Sequence, residues 1–242
     1  MTPRRLFVEQ VLPALERFKA GYADREIGLG RDIARGADLA DLLVNLPDYI
    51  FREPSQHSLL APNKNARAYR EEFCWKQNSN YEIACDFANS WKHRKVTRDH
   101  RKVNGMSDVH EAYAMCRYVD SQGDYYCGHK IVVISTVDGQ TADLRRMLVS
   151  SARFWAEELS RLGVIPPTPP ERFDFGEYTS RSEAVALGPL KFHGIAGEPL
   201  RYEARTFDFD ASTRSWINSR PSSGFHYEMP CVFEIAPSPF KQ

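Results

Sequence analysis

Apolar residues recur at helical spacing through the first hundred positions, and after Gly105 they change to alternation. Leu6, Val8, Val11, Leu12, Leu15 and Phe18 keep the i, i+3, i+4 rhythm of one helix face, with Pro3 near its start and Gly21 just past its end. A second helix is predicted through residues 32–46 (DIARGADLADLLVNL), stopping near Pro47, which lacks the amide that a helix interior uses. Residues 52–63 form a polar stretch with two prolines and read as a loop. A third helix is predicted over 65–76. A fourth opens at Ser79, where Glu82 three positions on completes a capping-box pattern. Tyr81, Ala84, Cys85, Ala88 and Trp91 give that fourth helix its apolar stripe, and the same stripe assigns Trp91 to core packing.

Residues 109–119 and 125–137 alternate and are rich in β-branched and aromatic side chains, with the turn-forming DSQGD between them. The prediction is a β-hairpin spanning about 109–137. A long helix follows from about Thr141 to Leu162, with Leu144, Met147, Leu148, Trp155, Leu159 and Leu162 on one side and Gly163 as its cap. Four prolines in positions 166–170 then favour an extended connector. Beyond it, 200–209 and 226–235 read as strands. The expected fold is α+β: a mainly helical domain, 1–163, with an inserted β-hairpin, followed by a Pro-rich connector and β-rich C-terminal extension, 164–242.

Composition narrows the class. With 242 residues, 42% of them hydrophobic and 12% aromatic, the chain has ample material for a core. Mean hydropathy is −0.50, and no apolar run approaches the length of a membrane span, so no membrane partner is expected. Glu9, Glu16 and Arg17 interrupt the apolar run that a secretory leader would need. The expected location is the cytoplasm. Five scattered cysteines with no C-x-x-C pair argue against a disulfide framework there.

Charge changes the picture. Thirty-two Lys/Arg balance thirty-two Asp/Glu, which excludes a generally basic nucleic-acid coat. Yet the eleven residues Lys92–Lys102 (KHRKVTRDHRK) hold six cations, two histidines and one acid, a local +5 in a neutral chain. An excess of this size costs self-repulsion and is usually kept for an anionic partner, and RNA is the one expected here. The binding set is then Lys92, Arg94, Lys95, Arg98, Arg101 and Lys102. The bland alternative is a solvated basic helix end that complements the helix dipole.

Arg94 and His100 are separated by five residues, a spacing that resembles the Arg-x4-6-His motif of the HEPN family of helical-bundle proteins, many of which cut RNA. The resemblance covers that motif and the helical outline. It implies a metal-independent ribonuclease, acting as a homodimer, with Arg94 as the phosphate-stabilising cation and His100 as acid/base. Asn89 and His93 are a second polar pair on the helix proper, and with Asp86 they fall on one predicted face. Here Lys95 follows the arginine where the family has a polar residue, and the inserted hairpin departs from its pattern.

Two rival classes remain open. In one, the basic segment pairs with acids of another protein or of the chain's own C-terminal part: Asp174, Glu177, Asp208 and Asp210. In the other, the hairpin holds zinc: a Gln122-Gly123 turn brings Cys116, Cys127 and His129 to one face, whereas a five-residue DSQGD loop separates them. No Gly-rich phosphate loop, G-x-S-x-G elbow or H-E-x-x-H pair exists, so no cofactor is expected. The sequence by itself assigns no catalytic activity.

Overall fold

A computed structural model describes residues 1–21, 24–53, 60, 65–93, 101–174, 178–196, 202–212, 215–219 and 231–237. It divides into two units, neither of them one contiguous stretch. The first takes Met1–Gly21, Arg31–His110 and Val132–Asp174; the second takes Tyr22–Gly30, Glu111–Ile131 and Phe175–Gln242.

The first unit is helical. Its opening helix runs as Pro3–Arg5 (α1), a π-helical stretch Leu6–Val11, and Leu12–Gly21 (α2). Then come Arg31–Phe51 (α3), and a short helix made of Ala66–Ala68 (α4), a second π stretch Tyr69–Cys74, and Trp75–Gln77 (α5). Ser79–His93 (α6) and Leu144–Arg161 (α7) complete the bundle. α3 packs on α2, α6 and α7, and α6 also packs on α7. Each π stretch sets residues five apart on one side. Leu6 with Val11, and Tyr69 with Cys74, are accordingly all buried.

Two helix boundaries differ from the sequence reading. α6 is capped by Asn78, not Ser79: its side-chain oxygen accepts the Tyr81 amide (3.2 Å), while its Nδ2 donates to the Ser150 carbonyl (3.0 Å). The second helix does not stop at Pro47 but runs through it to Phe51. Pro47 cannot donate to the Leu43 carbonyl, and the buried Tyr81 hydroxyl donates to that oxygen instead (3.3 Å). Beside it, Arg70 Nη2 donates to the Val44 carbonyl (3.1 Å) and to Asp48 (2.9 Å). The Tyr81 hydroxyl of α6 thus takes the place of the one amide that proline removes.

Tyr81→Phe should therefore destabilise the unit by about 1–3 kcal/mol, because it leaves a buried carbonyl without its donor. Pro47→Ala, which restores the amide, should recover most of that loss in the double variant. Urea unfolding of all four proteins reads the coupling. Strictly additive effects would show that the hydroxyl does not replace the missing amide.

Glu158, 5% exposed, accepts the Tyr69 hydroxyl and pairs with Arg161 (2.6 Å). Burial pushes the Cys85 thiol up to about 11 and raises Cys74 as well, so both stay neutral. All five cysteines are free thiols. The Pro-rich stretch is not a mere spacer, since Ile165 and Phe173 are buried and the Arg172 carbonyl accepts from Lys19 Nζ (3.0 Å).

The hairpin strands are Val109–Asp120 (β2) and Gly123–Ser135 (β3), preceded in the chain by the two-residue Glu26–Ile27 (β1). Thr141–Asp143 (β4) pairs antiparallel with the end of β3. Later come Arg181–Ala186 (α8), Leu190–Ile195 (β5), Glu203–Asp210 (β6), Ser215–Asn218 (β7) and Cys231–Ala236 (β8). The sheets have orders β1-β5-β8 and β4-β3-β2-β6-β7.

These pairings overturn the expected β-rich C-terminal extension. β5 pairs in parallel with β1, matching Ile27 to Phe192, and β6 pairs in parallel with β2 from Ala112↔Glu203 to Arg117↔Asp208. The late strands are integral to sheets begun by the early ones, and the class is a mixed α+β fold. The physical reason is that β2, left alone, would present a long row of unpaired backbone groups. A two-stranded hairpin is also marginal in isolation. Ile27, Leu190 and Phe192 form an apolar cluster here, with Tyr113 and Tyr202 packed on it.

Candidate functional site

The candidate site lies at the end of α6, in the first unit. α6 ends in Lys92 and His93, and the lysine cation complements the negative end of the helix dipole. Lys92 pairs with Asp41 of α3. On the far side of the basic segment the chain is pinned by Asp86, which is fully buried and accepts the backbone amides of Lys102 and Val103. The Lys102 carbonyl accepts the Val137 amide (2.9 Å), and its ammonium lies 3.9 Å from Asp138. The Thr136 hydroxyl, with the Gln140 amide and the Lys102 ammonium behind it, holds the Asp138 carboxyl below its usual range. Arg101 donates to Asn104 (2.8 Å), whose own amide donates to Asp108 (2.9 Å).

Both described ends of the segment are therefore fixed to the same helix and its neighbours. Arg94, Lys95, Arg98 and His100 lie outside the described residues. Along the predicted polar face burial falls steadily: Asp86 is buried on backbone amides, Asn89 is half-buried and His93 is exposed. Asp86 serves a buried hydrogen-bond network.

Trp91 differs most from expectation. It is 44% exposed, whereas Tyr81, Ala84, Cys85 and Ala88 are buried. Each helical residue turns about 100°, which leaves Trp91 within about 40° of the buried Ala84 and Phe87, so the helical angle does not account for its exposure; Trp91 stands in the last turn of α6, beside the exposed Lys92 and His93. The sequence pattern carries no signal of that exposure, nor of the partners Asp41 and Asp138, which come from distant segments.

The zinc reading finds no support among the described residues. The loop is Ser121–Gln122, neither of the two turns expected, with Gly123 in the left-handed region at φ +105°. Tyr118 stacks on Tyr125 (5.3 Å between centroids), and its hydroxyl lies 3.1 Å from His129 Nε2 and accepts from Trp216 Nε1 (3.2 Å). His129 also packs on Trp216 (4.8 Å). Burial raises the Cys127 thiol, and Cys116 is buried too. Among the described residues no three His, Cys, Asp or Glu side chains gather as a metal site. Of the acids considered for pairing with the basic segment, Asp208 is held by Arg117 (2.6 Å) and Asp210 by Ser212 (2.7 Å), while Glu177 lies outside the described residues.

No helix among the described residues is long and apolar enough to cross a membrane. No protein-family model matches the chain, and comparison with curated proteins and with solved structures finds no match either.

Proposed function

We propose that the protein binds RNA through Lys92–Lys102, with Trp91 as a stacking platform at the head of the segment. The observation that carries this reading is the exposure of Trp91 immediately before two exposed polar side chains, Lys92 and His93, at the head of the basic segment. Single strands are held by a cationic track for the phosphates and by aromatic faces for the bases, and both lie here within one short stretch. The outer lysines, Lys92 and Lys102, fasten the segment to Asp41 and Asp138. Arg94, Lys95, Arg98 and Arg101 against Asp99 leave a charge of +3 between them. Free thiols at all five cysteines fit a reducing compartment, and we place the protein in the cytoplasm.

Trp91→Ala tests the platform. It should weaken binding of a short oligouridine RNA by about 5- to 150-fold, the equivalent of about 1–3 kcal/mol per stacked base, with the fold intact. Trp91→Phe should keep most of the affinity. Equal binding by the alanine variant removes Trp91 from the site. The sharper version, a ribonuclease acting as a homodimer with Arg94 and His100 in the roles that the HEPN resemblance implies and Asn89 and His93 beside them, requires cleavage by the wild type and its loss in His100→Ala. A wild type that binds RNA without cutting it ends that version and leaves the binding reading in place.

A further inference from the structure

The second unit contains a cavity of about 470 Å³, within the range of about 300–1,000 Å³ that holds small molecules. Arg25, Tyr126, Cys127, Arg181, Val185 and Pro189 wall it, and its described lining includes two guanidinium groups and no carboxylate.

Both guanidinium groups are held in place. Arg181 donates from Nε and Nη2 to the two oxygens of Asp120 (2.9 and 2.8 Å) and from Nη2 to the Gly123 carbonyl (2.8 Å). It also sits 4.6 Å from the centroid of the Tyr125 ring. Arg25 donates from Nη1 to the Gly128 carbonyl (2.9 Å) and from Nε to the Pro189 carbonyl (3.4 Å). Asp120 occupies the Nε–Nη2 edge of Arg181, so an oxyanion in the cavity would meet that guanidinium at Nη1, and groups fixed in advance lose little freedom on meeting it.

A second observation is independent of the cavity. Arg25 has φ +57°, the one positive-φ residue other than glycine among those described. A large side chain is strained there, and such strain persists where the surroundings over-determine it, most often at ligand clamps and active sites. Glycine would relieve the strain but would remove the guanidinium. Cys127 faces the same space, but burial keeps its thiol protonated, so the pocket is built for binding and not for thiolate attack. Val185, 82% exposed, and Pro189 supply apolar wall.

We propose that this cavity binds a small organic oxyanion, its acid group taken by Arg25 and Arg181 and its apolar body lying along Val185 and Pro189. The test is calorimetry on the full chain with four probes: phenyl phosphate, benzoate, phenol and inorganic phosphate. Phenyl phosphate or benzoate should bind at least about tenfold tighter than phenol, and which of them is tighter identifies the acid group. Arg25→Gln should cost at least about tenfold for that anion. Val185→Glu, which puts a carboxylate at an exposed wall position that folding does not depend on, should do the same. Binding of neither organic anion by the wild type overturns the proposal, as does binding that both variants leave unchanged. Inorganic phosphate bound as tightly as phenyl phosphate overturns the apolar half of the ligand.

Discussion

Replacing Trp155 by alanine is expected to destabilise the helical unit by about 3–5 kcal/mol, the largest effect of any single change considered. Its indole is fully buried on α7, where it meets three other rings. Tyr81 lies edge-on at 5.3 Å, Phe154 at 5.3 Å and Tyr69 at 6.3 Å. Those contacts link α7 to α6 and to the π stretch, so the cavity left by alanine cannot close without moving two elements. Urea unfolding followed by circular dichroism should show a lower midpoint with the slope retained. Trp155→Phe should cost much less, about 1.5 kcal/mol or under. The indole Nε1 is buried with no hydrogen-bond partner among the described residues, so removing it also removes a desolvated donor. An alanine variant that loses less than about 1 kcal/mol would mean that this aromatic contact does not hold the helices together.

The contrast between α7 and the sheets shows what a single chain reveals about itself. α7 is legible because its signals are local: an 18-residue helix with a strict apolar face and an Asp143 cap whose side chain accepts the Arg145 and Arg146 amides. The hairpin is legible for the same reason, since alternation and turn residues stand together. β1 is a two-residue strand and finds its partner about 165 positions away, so no local pattern announces it. The parallel pairing of β6 with β2 is equally non-local, and without it the late strands read as an appendage.

Pro47 misleads for a related reason. The rule that proline ends a helix is local, but the Tyr81 hydroxyl that overrides it comes from another helix. At the candidate site, the exposure of Trp91 is not legible in the sequence, but the charge excess is. The anchors Asp41, Asp86 and Asp138 are not, because only the fold carries them to the segment.

The second large effect concerns that segment. Replacing Arg94, Lys95 and Arg98 together by glutamine leaves the Lys92–Asp41 and Lys102–Asp138 pairs intact and removes three of the charges that lie between them. If each charge neutralises one phosphate of a single strand, affinity at 0.1 M salt should fall about a hundredfold, with little change in stability. Unfolding midpoints of the two proteins, measured beside the binding, separate lost binding from lost fold.

The most direct measurement is the salt dependence of oligouridine binding by fluorescence anisotropy, wild type against this triple variant. For RNA held on the basic segment, log K should fall steeply and linearly with log salt in the wild type. In the variant the slope should be shallower by about 2, reflecting about 0.7 for each of three lost phosphate contacts. Identical slopes, or a wild type that does not bind RNA at low salt, would contradict the assignment of Lys92–Lys102 as the RNA-binding surface.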